Sequence, residues 1–173
     1  MIGDEVEEAY LDEVQKQCVN PELAKEKGDT LKFVYTPFHG AGNKPVRKIL
    51  KRIGFNNVVV VKEQELPDGD FPTVESPNPE NKEGFKLAIG YAKECGADLI
   101  VGTDPDSDRV GILVKNDKGE YVTFTGNQVG TLLSEYILSA LAEKNAVPKD
   151  GYIVKTIVTT NIIQAICDAY GIE

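Results

Sequence analysis

Three aspartates at alternate positions, Asp104, Asp106 and Asp108, followed at once by Arg109, are the strongest chemical signal in the chain. Like charges this close repel, and side chains at i, i+2 and i+4 converge where the backbone bends round a point, so the segment calls for a cation at its centre. Pro105 and Ser107 supply the bend. Hard divalent ions take oxygen ligands of this kind. Mg²⁺ keeps near-octahedral geometry and is commonly held by a few carboxylates plus a phosphate oxygen, and three carboxylates leave positions open for one. An EF-hand loop needs Gly at its sixth position and Glu at its twelfth, where this chain has Arg109 and Lys115. A loop of the aspartate-phosphatase type is expected to carry Thr or Val where Asp108 stands. The plain structural alternative is a solvated acidic turn, but three Asp between an apolar run and an Arg make a poor recipe for solubility alone.

The elements around the loop must place it at a sheet edge. Ala97 to Val101 is a short apolar run of the kind that forms a buried strand, so the acidic loop is expected to leave a carboxyl end of the sheet, where open α/β folds bind ligands. Leu31 to Tyr35 predicts another strand, running into Thr36-Pro37-Phe38-His39-Gly40-Ala41-Gly42-Asn43. The glycines there fit either a tight structural turn or a close approach to a ligand; the third glycine of a dinucleotide fingerprint is replaced by Pro45, and no P-loop pattern occurs. His39, the one histidine of the chain, has no nucleophile or acid fixed beside it and is expected to be an ordinary loop residue.

Helical spacing of Val46, Ile49, Leu50 and Ile53 predicts a helix ending at Gly54, with Lys44, Arg47, Lys48, Lys51 and Arg52 forming a solvated face. Val58 to Val61 predicts a strand, and the loop 63–81, stiffened by Pro77 and Pro79, is expected to wall a site. Asn81 is expected to cap a helix burying Phe85, Ala88, Ile89, Ala92 and Cys95, and a hairpin is expected over 109–124. An amphipathic first helix carries Ile2, Val6, Ala9, Tyr10, Val14 and Cys18 on one stripe. Beyond Gly126, a helix striped with Val129, Leu132, Leu133, Tyr136, Ile137, Ala140 and Leu141, a strand over 152–158 and a last helix closing at Gly171 are expected.

The fold class is therefore α/β: a mixed, mostly parallel sheet with flanking helices in α/β/α layers, followed by the truncated start of a second α/β domain. The divisions are placed at 1–125 and 126–173. Because a lone strand after Gly126 has no partner, the chain is expected to be a piece cut from a longer protein at domain seams. A net charge of −9 argues against nucleic acid or an anionic membrane as the partner, and no apolar run of the roughly 18 residues needed to span a bilayer is present, so a cytoplasmic location is expected. Cys18, Cys95 and Cys167 are far apart and expected to be buried thiols.

The segment Thr103-Asp104-Pro105-Asp106-Ser107-Asp108-Arg109 resembles the magnesium loop of the α-D-phosphohexomutases, the phosphoglucomutase and phosphomannomutase group. Supporting matches are Thr36 to Gly42, Pro77-Asn78-Pro79-Glu80 and Thr125-Gly126-Asn127-Gln128, whose wording is most similar to the phosphoglucomutase and phosphopentomutase branch. Their order agrees with the second of four domains running into the third. The resemblance implies that Asp104, Asp106 and Asp108 bind Mg²⁺, whose remaining ligand is an oxygen of a phosphoserine on the first domain. That phosphoserine would exchange phosphoryl groups with a sugar phosphate through a bisphosphate intermediate. Arg109 would carry part of the electrostatics, and Lys155 is similar to a family lysine near the reacting oxygens. The implied partners are a sugar phosphate and the remaining domains of the full-length enzyme.

The departures matter equally. No Thr-Ala-Ser-His-Asn-Pro type of loop occurs, and neither the sugar-reading loop nor the phosphate-binding domain of that family is present, so the chain alone is expected not to isomerise a sugar phosphate. A free-standing magnesium-dependent phosphatase and a non-catalytic module holding Ca²⁺ or nothing stay open as alternatives.

Overall fold

A computed structural model describes residues 3–172; Ile2, expected on the first helix's stripe, lies outside the described residues. The chain divides into two compact units, Met1–Phe124 and Thr125–Glu173. In the first, five strands form one sheet in the order β2-β1-β3-β4-β5: β1 (Phe33–Thr36), β2 (Val58–Val60), β3 (Leu99–Thr103), β4 (Val110–Lys115) and β5 (Tyr121–Thr123). The β1 pairings with β2 and β3 are parallel, and β4 runs antiparallel to both neighbours. Only β4 is therefore reversed, and the sheet is mixed with most strands pointing one way. All four β1 residues are buried, as expected of a strand covered on both faces.

Alternation along β1 separates two packing faces. Val34 joins Ile100 and Leu113 in a cluster with Ala88 and Ala92 of α4 (Lys86–Cys95), which covers one side. On the other, Phe33 meets Phe55 edge to face, just past the end of α3 (Asn43–Ile53). Gly54 ends α3 at a φ of 111°, a left-handed conformation that glycine adopts without steric cost. Asn81 does not cap α4. A turn of 3-10 helix, Lys82–Phe85, precedes α4, and the Asn81 amide donates to Ser76 Oγ at 3.4 Å.

The first helix, α1 (Asp4–Lys16), forms, but not with the expected face inward. Leu11 is its buried residue, while Val6 and Tyr10 are exposed. The reason is electrostatic. Lys48 of α3 meets Glu7 at 2.6 Å, and Arg52 pairs with Glu8 and, at 2.7 Å, with Asp12. The α3 basic face is largely solvated, as expected, with Lys44, Arg47, Lys48 and Lys51 exposed, while Lys48 and Arg52 also pair with the acidic side of α1. A short α2 (Pro21–Lys27) lies between α1 and β1.

The second unit contains α5 (Gly126–Glu143) and α6 (Ile162–Tyr170). They pack through Leu138, Ile163, Cys167 and Ile172, with Gly130 near Ile163. One helix covers one side of another, and the stripe expected to face inward is largely exposed at Leu132, Leu133, Tyr136 and Ile137. The strand expected over 152–158 is likewise absent: residues 152–156 join no sheet, 157–158 form a turn, and Ile157 is 99% exposed. A strand needs a neighbour to satisfy its backbone, and none pairs with it among the described residues. The three cysteines are free thiols, Cys167 buried and the other two half-buried.

Tyr35 links this core to pH. Its buried hydroxyl lies 2.8 Å from Thr103 Oγ1, and burial pushes its pKa up to about 12 from 10.0 despite that bond. The folded state therefore holds the proton longer than the unfolded chain does. The resulting stability is complete below about pH 10 and is lost as pH rises toward about 12. Between about pH 9 and pH 11 the wild type should lose about 1.3 kcal/mol of unfolding free energy more than Tyr35→Phe, read from urea titrations; equal losses would remove Tyr35 as the source.

Candidate metal centre

Thr103 pairs with Val110 across β3 and β4, so Asp104 to Arg109 is the connection of a hairpin. Because β1 and β3 are parallel and Thr36 lies opposite Gly102, the segment after β1 comes out beside this loop. Two loops at one sheet edge are thus placed together by strand pairing.

The loop closes on itself through Asp104. This side chain is only 1% exposed, and both its oxygens accept bonds from Arg109: Oδ1 from the backbone N–H at 2.9 Å and Oδ2 from Nε at 2.8 Å. The Ser107 N–H donates to the Asp104 carbonyl at 3.0 Å, with Ser107 at a φ of 61°. Arg109 Nε is also 3.7 Å from Asp108 Oδ1. Asp106 and Asp108 are exposed, and oxygen atoms from all three aspartates lie within 4.8 Å of one another.

Charge follows from this geometry. Burial pushes the Asp104 carboxyl up, but the Arg109 N–H and guanidinium outweigh it and hold the group below its usual range. The Asp108 carboxyl is raised, first by repulsion from Asp106 and then by its bond and proximity to Asp104. Arg109, bonded to Asp104, is held more firmly protonated than a free side chain. Three carboxylates against one guanidinium leave two negative charges in one small volume. That donor set, all hard oxygen with a double negative excess, fits a divalent ion such as Mg²⁺, with Asp106 and Asp108 offering their oxygens from the open side.

The glycine turn braces the loop. Ala41 N–H donates to Pro105 O at 2.8 Å, and a Cβ on Gly40 would overlap the Pro105 backbone. At Gly42 a Cβ would collide with Ser107 Oγ and come within 2.7 Å of the Tyr35 hydroxyl and 2.8 Å of Thr103 Oγ1. Of the two expectations for this turn, the close backbone contact is made with a neighbouring loop. The stiff loop takes a similar role on the far side, since a Cβ on Gly111 of β4 would overlap Pro79 O. Lys155 lies in the second unit, where Nζ donates to Asn161 Oδ1 at 3.1 Å and Thr159 O at 3.3 Å. It stands on an extended segment and not on the end of a strand.

Sequence reasoning missed Gln64 and Thr73. Gln64 is wholly buried and accepts a bond from Thr36 Oγ1 at 2.6 Å, and its amide donates to Thr73 Oγ1 at 3.1 Å. Nothing in their local sequence distinguishes them from other loop polar residues.

Comparison with known proteins places this geometry in context. The family model for phosphoglucomutase/phosphomannomutase, alpha/beta/alpha domain II, matches residues 8–119. Human phosphopentomutase is 34% identical over 161 residues, covering 91% of this chain and 26% of that protein. A phosphoglucomutase of Staphylococcus saprophyticus is 34% identical over 172 residues, 99% of this chain and 30% of its own length. The chain thus spans about a third or less of these curated relatives. A phosphoglucomutase/phosphomannomutase family protein from Burkholderia thailandensis has the same fold, with a TM-score of 0.62 at 19% identity over 87% of this chain and 32% of that one.

The packing at Gly42 yields a test. Gly42→Ala must displace the hydroxyls of Ser107, Thr103 and Tyr35 and should cost about 1–3 kcal/mol by overpacking. Gly90→Ala, on α4 with nothing within 4 Å of an added Cβ, should be neutral or stabilise by roughly 0.5–1 kcal/mol. Denaturant midpoints of the two variants decide it; equal effects would mean the turn is not tightly packed on the loop.

Proposed function

The chain belongs to the phosphoglucomutase/phosphomannomutase family, and we propose that it supplies the magnesium-binding loop of a sugar-phosphate mutase. The observation that carries this reading is the convergence of Asp104, Asp106 and Asp108 within 4.8 Å, with one arginine locked among them. In this reading residues 1–125 are the second domain of such an enzyme and 126–173 the start of its third. A phosphoserine elsewhere in the enzyme gives its phosphoryl group to a sugar monophosphate, and the other phosphate of the bisphosphate returns to the serine.

When bound, Mg²⁺ would supply charge neutralisation for the phosphoryl group in transfer, which depends on alignment and electrostatics more than on covalent help from the protein. This chain's own work is positional. Asp106 and Asp108 hold the exposed side of the site, and Asp104 orients Arg109. Arg109 keeps Nε on Asp104 while its side chain stays 53% exposed, available to an incoming phosphate oxygen. Lys155, which bonds Thr159 and Asn161 within the second unit, is assigned the role of the family lysine that acts near the reacting oxygens. Among the described residues no helix is long and apolar enough to cross a membrane, and a cytoplasmic location belongs to the same proposal. Without the phosphoserine and the sugar-reading parts, the chain alone is expected to bind Mg²⁺ weakly and to leave sugar phosphates unchanged.

Two measurements test this. Replacing the exposed ligand, Asp106→Ala, should weaken Mg²⁺ or Mn²⁺ binding about tenfold or more, by calorimetric titration, with little change in melting temperature; equal titrations of wild type and variant would sink the site. Mg²⁺-dependent turnover of glucose 1-phosphate should be absent for the chain alone and appear when a separately expressed preceding domain carrying a phosphoserine is added with the remaining domains. Turnover by the chain alone would instead identify a phosphatase.

A further inference from the structure

We infer that His39 is a positioning residue for the metal loop, held with Nδ1 as a donor by a chain of hydrogen bonds that locks the glycine turn under Pro105. The inference rests on the metal-loop reading of Asp104, Asp106 and Asp108, and extends it to a residue that touches none of them.

The direction of the bond at the Leu66 end of the chain follows from chemistry. His39 Nδ1 lies 3.2 Å from the Leu66 carbonyl, which can only accept, so Nδ1 carries a proton. Nε2 lies 2.9 Å from Thr73 Oγ1, and that oxygen already accepts from the Gln64 amide at 3.1 Å. In the Nδ1–H tautomer the Thr73 hydroxyl, which accepts from the Gln64 amide, donates in turn to Nε2. The chain continues inward, because Gln64 Oε1 accepts from Thr36 Oγ1 at 2.6 Å and Thr36 Oγ1 accepts from the Phe38 N–H at 3.2 Å. It therefore ends on the backbone that enters the turn.

The backbone held there is one that does not persist unaided. Phe38 and His39 have φ of 44° and 61°, left-handed values that cost L residues free energy unless surrounding contacts fix them. Phe38 is fixed by full burial edge to face against Phe85, at 5.0 Å between centroids. His39, only 5% exposed, is fixed at four points: both ring nitrogens, its N–H on Gln64 O at 2.9 Å, and its carbonyl accepting from Asp68 N–H at 3.1 Å. The next residues, Gly40 to Gly42, are those against which Pro105 and Ser107 rest. The imidazole thus joins the 64–73 loop to the turn, and the turn to the metal loop.

Thr73 is exposed, so Thr73→Val removes the hydroxyl with little cost to the core, and Thr73→Ser restores it. With one histidine in the chain, long-range proton–nitrogen spectra show a single imidazole. The wild type should show the Nδ1–H tautomer. Thr73→Val should keep the Nδ1–H tautomer but move the Nε2 resonance as that nitrogen loses its donor, shift the amide resonances of Ala41 and of residues 104–109, and weaken Mn²⁺ binding by about threefold to tenfold, with Thr73→Ser restoring all three. A wild-type ring protonated on Nε2, or a ring that changes while those amides do not move, overturns the inference. If ring and amides respond while the wild type binds no Mn²⁺, the coupling stands and the metal reading fails.

Discussion

A carboxylate stripped of nearly all its water needs replacement donors, and Asp104 finds them five residues downstream in its own loop. Both oxygens are occupied by Arg109, one by backbone and one by side chain. This pairing offsets the desolvation that burial imposes, closes a six-residue turn between β3 and β4, and leaves the charges of Asp106 and Asp108 displayed outward. Each neighbouring segment is shaped to that closed loop. Glycine stands where the turn touches Pro105 and Ser107, and again where Pro79 crosses β4. The parallel pairing of β1 with β3 brings the first of these segments to the same edge.

The parts of this arrangement legible in the sequence were those written in short-range patterns. Apolar runs gave β1, β2 and β3, the Asn116 to Glu120 turn gave the hairpin, and glycines marked the ends of α3, α4 and α6. The acid triad was legible because three like charges at alternate positions are costly without a reason. What stayed hidden was settled by partners distant in sequence. Apolar spacing cannot say which side of α1 turns inward when Lys48 and Arg52, some 40 residues on, attract its acidic side. Nor does a run of β-branched residues at 152–158 make a strand with no neighbour to pair with. The roles of Gln64 and Thr73 depend on a loop fold that no local motif announces.

The two helices of the second unit make the same point from packing. A stripe of Leu132, Leu133, Tyr136 and Ile137 reads as an inward face at helical spacing, yet α6 rests on the side carrying Gly130 and Leu138. The capping box of Thr125 and Gln128 fixes where α5 begins, and Asn127, accepting from Thr160 N–H at 2.8 Å, ties the preceding extended segment to that start. Lys155 is ordered by this turn of chain.

The bonding of Asp104 also bears on the choice between a mutase loop and a phosphatase that forms a covalent aspartyl intermediate. A nucleophilic carboxylate must present a free oxygen to phosphorus with little reorganisation. Asp104 has both oxygens engaged and is nearly inaccessible, so its attack would require breaking two charge-assisted bonds in a buried setting. Asp106 and Asp108 are accessible, but each lies beside the other's charge, and that repulsion already holds the Asp108 proton more tightly. A carboxylate whose proton is held more tightly by its neighbours' charge is suited to sharing a cation with them, which removes the repulsion, more than to acting separately as nucleophile or acid. The loop's internal bonding thus supports the electrostatic role proposed for it over a nucleophilic one.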